Sequence, residues 1–187
     1  MGSDCVKELS LHILDIVQNS VKAGASEIEI AINEDIENNL LTISVNDNGC
    51  GMSKEFLSTV RDPFSTTRTT RKVGMGISLF EAAAVQCGGH LDIESEQGKG
   101  TKLSACFEYD NIDRAPIGNM AETMVTIIMG EPNINYVYKH KKADKEFVFV
   151  ADEVKAALDG VPLDTPEVLN WIRDFISEGL SDAGINM

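Results

Sequence analysis

The residues most capable of chemistry lie along one line of an N-terminal helical pattern. From Lys7 to Lys22 the chain is mostly apolar (Leu9, Leu11, Ile13, Leu14, Ile16, Val17, Val21), interrupted by Glu8, His12, Asp15, Gln18, Asn19 and Lys22. At ~100° per residue, Glu8, His12, Asp15, Asn19 and Lys22 fall within one narrow stripe, with Gln18 at its flank. A carboxylate, an amide and an ammonium at that spacing can bind a metal, hold phosphate oxygens or move a proton. A helix that is apolar over most of its circumference is mostly buried, so such a stripe fits the wall of a polar pocket. A solvated outer face would give the same stripe.

A second carboxylate favours the pocket. Asp47 is in phase with Leu41, Ile43 and Val45, and side chains alternate along a strand with period two. The register therefore aims Asp47 inward, where a carboxylate needs donors. Thr101 repeats the arrangement, in phase with Leu103, Ala105 and Phe107. Glycines follow directly in Asp47-Asn48-Gly49-Cys50-Gly51-Met52 and permit close backbone approach to a flat ligand. Gly74-Met75-Gly76 opens onto a helix start, where free amides and the helix dipole suit phosphate. The stretch from Arg61 to Met75 has no periodicity and holds Arg61, Arg68, Arg71 and Lys72 against Asp62 alone. Its length and its Ser and Thr content fit a lid. Neither a Walker A sequence nor a Rossmann fingerprint is present.

The elements that must position these groups follow from periodicity. Strands are expected over Ser26 to Asn33, Leu40 to Asp47, Leu91 to Glu96 and Thr101 to Tyr109. Helices are expected over Ser53 to Val60, with Ser53 as cap, and over Gly76 to Cys87, stopped by Gly88-Gly89. Helices interleaved with strand pairs predict an α/β sheet with helices on one face. Asn111 to Gly118 reads as a linker. Beyond it the pattern predicts a helix (Asn119 to Met129), a hairpin (Ile134 to His140 and Glu146 to Ala151) and two helices (Asp152 to Asp159 and Pro166 to Asp182). Thr165 is the expected cap of the last helix, with Pro166 at its first position. The division expected is 1–110 for the chemical domain and 111–187 for an accessory or docking region.

Composition bounds the partners. The chain has 187 residues, 43% hydrophobic and 25% charged, with a net charge of −14. A phosphate-backbone binder needs the opposite sign, so nucleic acid and anionic membrane are excluded as general partners. No apolar run reaches the ~20 residues of a membrane span, and no signal region is evident at the N-terminus. Cys5, Cys50, Cys87 and Cys106 show no metal-type spacing, and a reducing cytoplasm is the expected location.

Taken together, the four motifs resemble the GHKL superfamily of ATPases, which includes gyrase, heat-shock chaperone, histidine-kinase and mismatch-repair ATPases. Asp15 to Ala25 resembles the N box and Asp47-Asn48-Gly49-Cys50-Gly51 the first glycine box. Pro63-Phe64 with Gly74-Met75-Gly76 looks like the lid and second box, and Gly98-Lys99-Gly100-Thr101 like the last box. The resemblance covers about residues 7–109. It implies a two-layer α/β sandwich (the Bergerat-type ATP-binding fold) with a small α+β C-terminal region, binding ATP and Mg²⁺. It also implies that Asn19 holds Mg²⁺, that Asp47 accepts from the adenine amino group, and that Thr101 reaches adenine directly or through water. Gly49, Gly51 and Met52 would lie beside the base. Lys22, Arg68, Arg71 and Lys72 are candidate phosphate contacts, with Gly74, Met75 and Gly76 flanking the triphosphate.

The short lid and the Pro63-Phe64 pair look most like the histidine-kinase branch. Asp15, four residues before Asn19, is the candidate general base, standing where hydrolase and serine-kinase branches have a longer acid. No stretch of the sequence reads as the helical hairpin that carries a phosphoacceptor, and His12 on the pocket helix is more simply structural. The resemblance implies an ATP-binding regulator that passes the γ-phosphate to a protein partner of unknown identity, or an ATP-gated binding module or slow ATPase. A homodimer is compatible with either.

Overall fold

The computed structural model describes residues 8–60 and 75–185. In chain order the elements are α1 (Leu9–Lys22), β1 (Glu27–Asp35), β2 (Leu40–Asp47), α2 (Lys54–Val60), α3 (Met75–Gln86), β3 (His90–Glu96) and β4 (Gly100–Glu108). They are followed by α4 (Met120–Gly130), β5 (Asn135–Lys142), β6 (Lys145–Val150), α5 (Ala151–Ala157) and α6 (Pro166–Asp182). These match the expected elements closely. Ser53 caps α2, its hydroxyl accepting from the Phe56 amide at 3.2 Å. Thr165 does not cap α6 with its side chain; its hydroxyl donates to the Pro162 carbonyl at 2.7 Å, and the proline start alone marks that end.

One six-stranded sheet runs in the order β3-β4-β2-β1-β5-β6. Neighbours are antiparallel except β1 and β5, which are parallel. One face carries the apolar set in register: Ile93, Leu103, Val45, Ile30 and Tyr138 lie in one cross-strand row, and all are buried. The opposite face holds Asp92, Ser104, Ser44, Ala31 and Lys139. Period-two alternation thus separates a core face from an open face. Helices α1, α3, α4 and α6 touch one another in the order α3-α1-α4-α6, and their buried residues share one core with the inward strand residues. The fold is a two-layer α/β sandwich.

The segment after 110 adds its hairpin to this same sheet, so the shared core crosses the expected boundary. A buried polar network fastens the join. His140 Nε2 donates to Glu34 Oε1 at 2.9 Å, the Tyr138 hydroxyl meets His140 Nδ1 at 2.8 Å, and the Tyr109 hydroxyl donates to Glu34 Oε2 at 2.8 Å. Lys142 stands 3.3 Å from Glu34. Burial opposes the charge on Glu34, but the hydrogen bonds from His140 and Tyr109, helped by the positive groups of His140 and Lys142, outweigh it and hold the carboxyl down at about 2.

Candidate functional site

A cavity of about 250 Å³ opens between the C-terminal half of α1, the Asp47 and Thr101 ends of β2 and β4, and helices α2 and α3. Ile16, Val45, Met52, Phe56, Val60, Ile77 and Leu103 form its apolar walls. Asn19, Ser20, Lys22, Asp47 and Thr101 supply its polar groups. An apolar slot with a few convergent polar groups is the usual form of a small-molecule site.

Asp47 sits where the strand period puts it. Its carboxylate accepts from the Ser20 hydroxyl at 2.6 Å and from the Gly49 amide at 2.9 Å, one bond on each oxygen. A carboxylate has about four acceptor positions, so acceptor capacity remains toward the cavity. Thr101 pairs with Asp47 across β2 and β4 and shares a hydrogen bond of 2.9 Å with Ser95. Ser95 also accepts from the Met52 amide at 2.8 Å and meets the Gly100 carbonyl at 3.0 Å. Ser20 and Ser95 were missed from sequence. Ser20 lies on the apolar face of α1 with Leu9, Ile13 and Ile16, a polar group where the helical period expects a buried one. Ser95 is in phase with Leu91 and Ile93 on β3, the same strand-end signal that Asp47 and Thr101 give.

The first glycine pair also packs against the protein itself. Gly51 has φ +64, and a Cβ there would stand 2.1 Å from the Glu96 carbonyl oxygen. A Cβ on Gly49 would stand 2.9 Å from that of Ala23. These two glycines let the β2–α2 loop lie flat against the β3–β4 turn and the end of α1. They therefore fix the rim of the cavity, which Gly51 and Met52 also line.

The helical stripe is only partly a pocket wall. Asn19 and Lys22 line the cavity. Among the described residues the Asn19 amide makes no hydrogen bond, so its oxygen is free to serve a ligand. Asp15 is exposed and lies against the first turn of α3, where a Cβ on Gly76 would come within 3.2 Å of the Asp15 Cβ. Carboxylate, glycine and helix start thus meet beside the cavity wall residue Ile77. His12 turns into the core, 4% exposed and stacked on Phe80 at 5.0 Å. Burial pushes its imidazole pKa down, against the partial opposing pull of Asp15. This is a structural histidine. Glu8 receives the Ser10 hydroxyl at 3.3 Å and faces Gly118, away from the cavity. Arg68, Arg71, Lys72, Gly74 and the Pro63-Phe64 pair lie outside the described residues, and for Met75 the structure describes the backbone alone.

Residues 6–111 match the family described as Histidine kinase-, DNA gyrase B-, and HSP90-like ATPase. The chain belongs to this ATPase family. Its similar curated relatives include the sensor protein SrrB of Staphylococcus aureus, 33% identical over 103 residues, with 52% of this chain and 17% of SrrB covered. The sensor histidine kinase AtsR of Burkholderia thailandensis is 29% identical over 97 residues, covering 48% of this chain and 16% of AtsR. The chain spans between 12 and 20% of the length of such relatives. Among solved structures, the N-terminal domain of a DNA repair protein shares the fold with a TM-score of 0.53 at 14% identity, over 77% of this chain and 52% of that one. Among the described residues no helix is long and apolar enough to cross a membrane.

Proposed function

We propose that this ATPase-family domain binds ATP with Mg²⁺ in the cavity under α1 and acts as a regulator that passes the γ-phosphate to a partner protein. The observation that carries the reading is Asp47, a carboxylate with acceptor capacity to spare at the polar end of an apolar slot. Such a group selects a flat base bearing an exocyclic amino donor, as in adenine. Thr101 and Ser95 extend the polar edge, and Met52, Val45 and Leu103 would supply apolar contact to the base. Lys22, Arg68, Arg71 and Lys72 would hold the phosphates, and Gly74, Met75 and Gly76 would flank them.

Among the described residues no group of three His, Cys, Asp or Glu side chains could hold a metal. Mg²⁺ needs none, since it keeps several waters and takes its other ligands from phosphates. The free amide oxygen of Asn19 fits the single protein contact required. When bound, the ion would neutralise charge on the β- and γ-phosphates. Asp15, beside Gly76, would take a proton from a partner hydroxyl or from water. A second reading, an ATP-gated binding module, rests on the position of α3, whose first turn touches Asp15 and whose Ile77 lines the cavity. Nucleotide there would bias α3 directly. The names of SrrB and AtsR favour signalling roles for proteins carrying this domain. Incubation with γ-labelled ATP and candidate partners tests the proposal: label on a partner supports transfer, label in free phosphate supports hydrolysis, and unchanged ATP supports gating.

A further inference from the structure

The outer edge of β6 is the end of the sheet, and no described residue pairs with it. In an antiparallel ladder alternate residues of an edge strand turn their N–H and C=O groups away from their partner, so this edge offers unpaired backbone groups to an incoming chain. Proteins usually guard such an edge with charge or proline. Here charge is confined to Lys145 and Glu146, and Phe147-Val148-Phe149-Val150 beyond them carries neither charge nor proline, with Val148 43% exposed.

Helix α6 lies over this edge and presents a continuous outer stripe. Glu167, Trp171, Asp174, Phe175, Glu178 and Asp182 follow one another at helical spacing, and all are exposed. The helix comes close because Gly179 faces the Phe147 ring, where a Cβ would stand 2.1 Å from Cε2. Phe175 reaches both inward residues of the edge strand, 5.9 Å from Phe147 and 6.4 Å from Phe149. Trp171 stacks on Phe175 at 5.1 Å and is 51% exposed. The stripe therefore has an aromatic centre beside the free strand edge, ringed by four carboxylates. None of the four forms an ion pair among the described residues, and the neighbouring Arg173 pairs with Glu122.

We infer that this surface binds an extended, basic and apolar peptide segment of a partner protein, which adds to β6 as a seventh strand and lays its side chains on Trp171 and Phe175. Main-chain pairing supplies affinity in such strand addition, and side-chain pockets supply specificity. The charge decides the occupant. A second copy would bring the same acidic stripe and a net charge of −14 against its like, whereas Lys or Arg side chains would complete the four carboxylates. The inference is independent of what fills the nucleotide cavity.

Trp171 is the single tryptophan of the chain, so its emission reports on this surface alone. The probe is a labelled eight-residue peptide of alternating Lys and Val, titrated into the full chain. Binding with a blue shift of Trp171 emission is expected. A Glu-Val peptide should bind at least tenfold more weakly. Peptides N-methylated at every second residue, in each of the two phases, should differ, one phase losing binding and the other keeping it. By anisotropy of the labelled peptide, Trp171→Ala and the exposed double variant Asp174→Lys with Glu178→Lys should each weaken binding at least tenfold. Unchanged circular dichroism would show that both variants fold. Three outcomes would overturn the inference: no binding, equal binding of the two N-methylated phases, or a dimer in sedimentation that Trp171→Ala dissolves, which would make the occupant a second copy.

Discussion

Asp47 is the residue on which the nucleotide assignment turns, and Asp47→Asn isolates it. The change keeps the side-chain volume and removes the charge. In the folded chain Asp47 accepts from Ser20 at 2.6 Å and from Gly49 at 2.9 Å, on different oxygens. Asparagine offers one acceptor oxygen and an NH₂ group. One of the two donors therefore loses its acceptor unless the Ser20 hydroxyl turns to accept. That loss costs about 1 kcal/mol of stability, which a urea titration reads directly. The effect on nucleotide is larger. A hydrogen bond to a charged acceptor contributes about 1.5–3 kcal/mol, so ATP affinity should fall roughly ten- to hundredfold. GTP presents a carbonyl where ATP presents an amino donor, and the native carboxylate repels it. Asp47→Asn should therefore leave GTP affinity level or raise it, and the preference for ATP should collapse. Calorimetry with both nucleotides on both proteins gives four affinities. Equal affinity of the native chain for ATP and GTP, or a parallel loss of both in the variant, would refute the assignment of Asp47 to the base.

Asn19→Ala should abolish the Mg²⁺ dependence of ATP affinity while leaving the melting curve unchanged; Mg²⁺ dependence that survives in calorimetry would remove Asn19 as the ligand. Asp15→Asn should preserve ATP affinity and lower turnover about 10²- to 10⁴-fold, and parallel losses in affinity and phosphate release would defeat the base role. Gly51→Ala places a Cβ 2.1 Å from the Glu96 carbonyl at φ +64 and should destabilise the fold by at least ~1–3 kcal/mol, seen as a lower urea midpoint; an unchanged midpoint would show that the loop yields freely. The Glu34 carboxyl, held at about 2 against an ordinary 4.5, binds fewer protons folded than unfolded below pH 4.5. Its contribution of about 3 kcal/mol is complete above that pH and lost as pH falls toward 2. Glu34→Gln should flatten the acid limb of stability against pH, and an identical limb would show that other carboxylates control it.

The fold was legible because its signals are local. Period-two alternation in β1, β2 and β4 and the helical period in α1 and α6 come directly from which residues are apolar. Asp47 was legible for the same reason, as a break in an alternating run. What sequence could not supply were relations across the sheet. His12 shares a helical stripe with Asp15 and Asn19, yet the stripe wraps just far enough for His12 to meet Phe80 in the core while Asp15 stays exposed. Ser20 and Ser95 lie on the apolar faces of α1 and β3, in phase with Leu9, Ile13 and Ile16 and with Leu91 and Ile93, but their partners Asp47 and Thr101 are set by packing and register. The glycines of Gly49-Cys50-Gly51 also meet the protein itself, with Ala23, Asp47 and the β3–β4 turn as neighbours, while Gly51 lines the cavity. Glu34 and His140 continue apolar alternations with charged types, and their contact with each other, Tyr109, Tyr138 and Lys142 explains their burial.

The same cross-strand relations explain why residues beyond 110 matter to the ATPase-family domain. Without β5, β1 would become the edge of the sheet. Its outer backbone groups would lose their partners, and Glu34 would lose His140 and Lys142. On the helical layer, α4 packs against α1, and Met120, Met124 and Ile128 are fully buried. Removing α4 would expose the flank of α1 opposite α3, which carries Leu14, Val17 and Val21 at its border with α4. Helix α1 is also the element that brings Asn19, Ser20 and Lys22 to the cavity. Its position is fixed from one side by α3, which starts at the glycine motif, and from the other by α4. The C-terminal segment thus contributes half of the clamp that holds the cavity-facing helix against the sheet. Any partner that pulls on β6 or α6 acts on that clamp through α4, because α6 packs directly on α4.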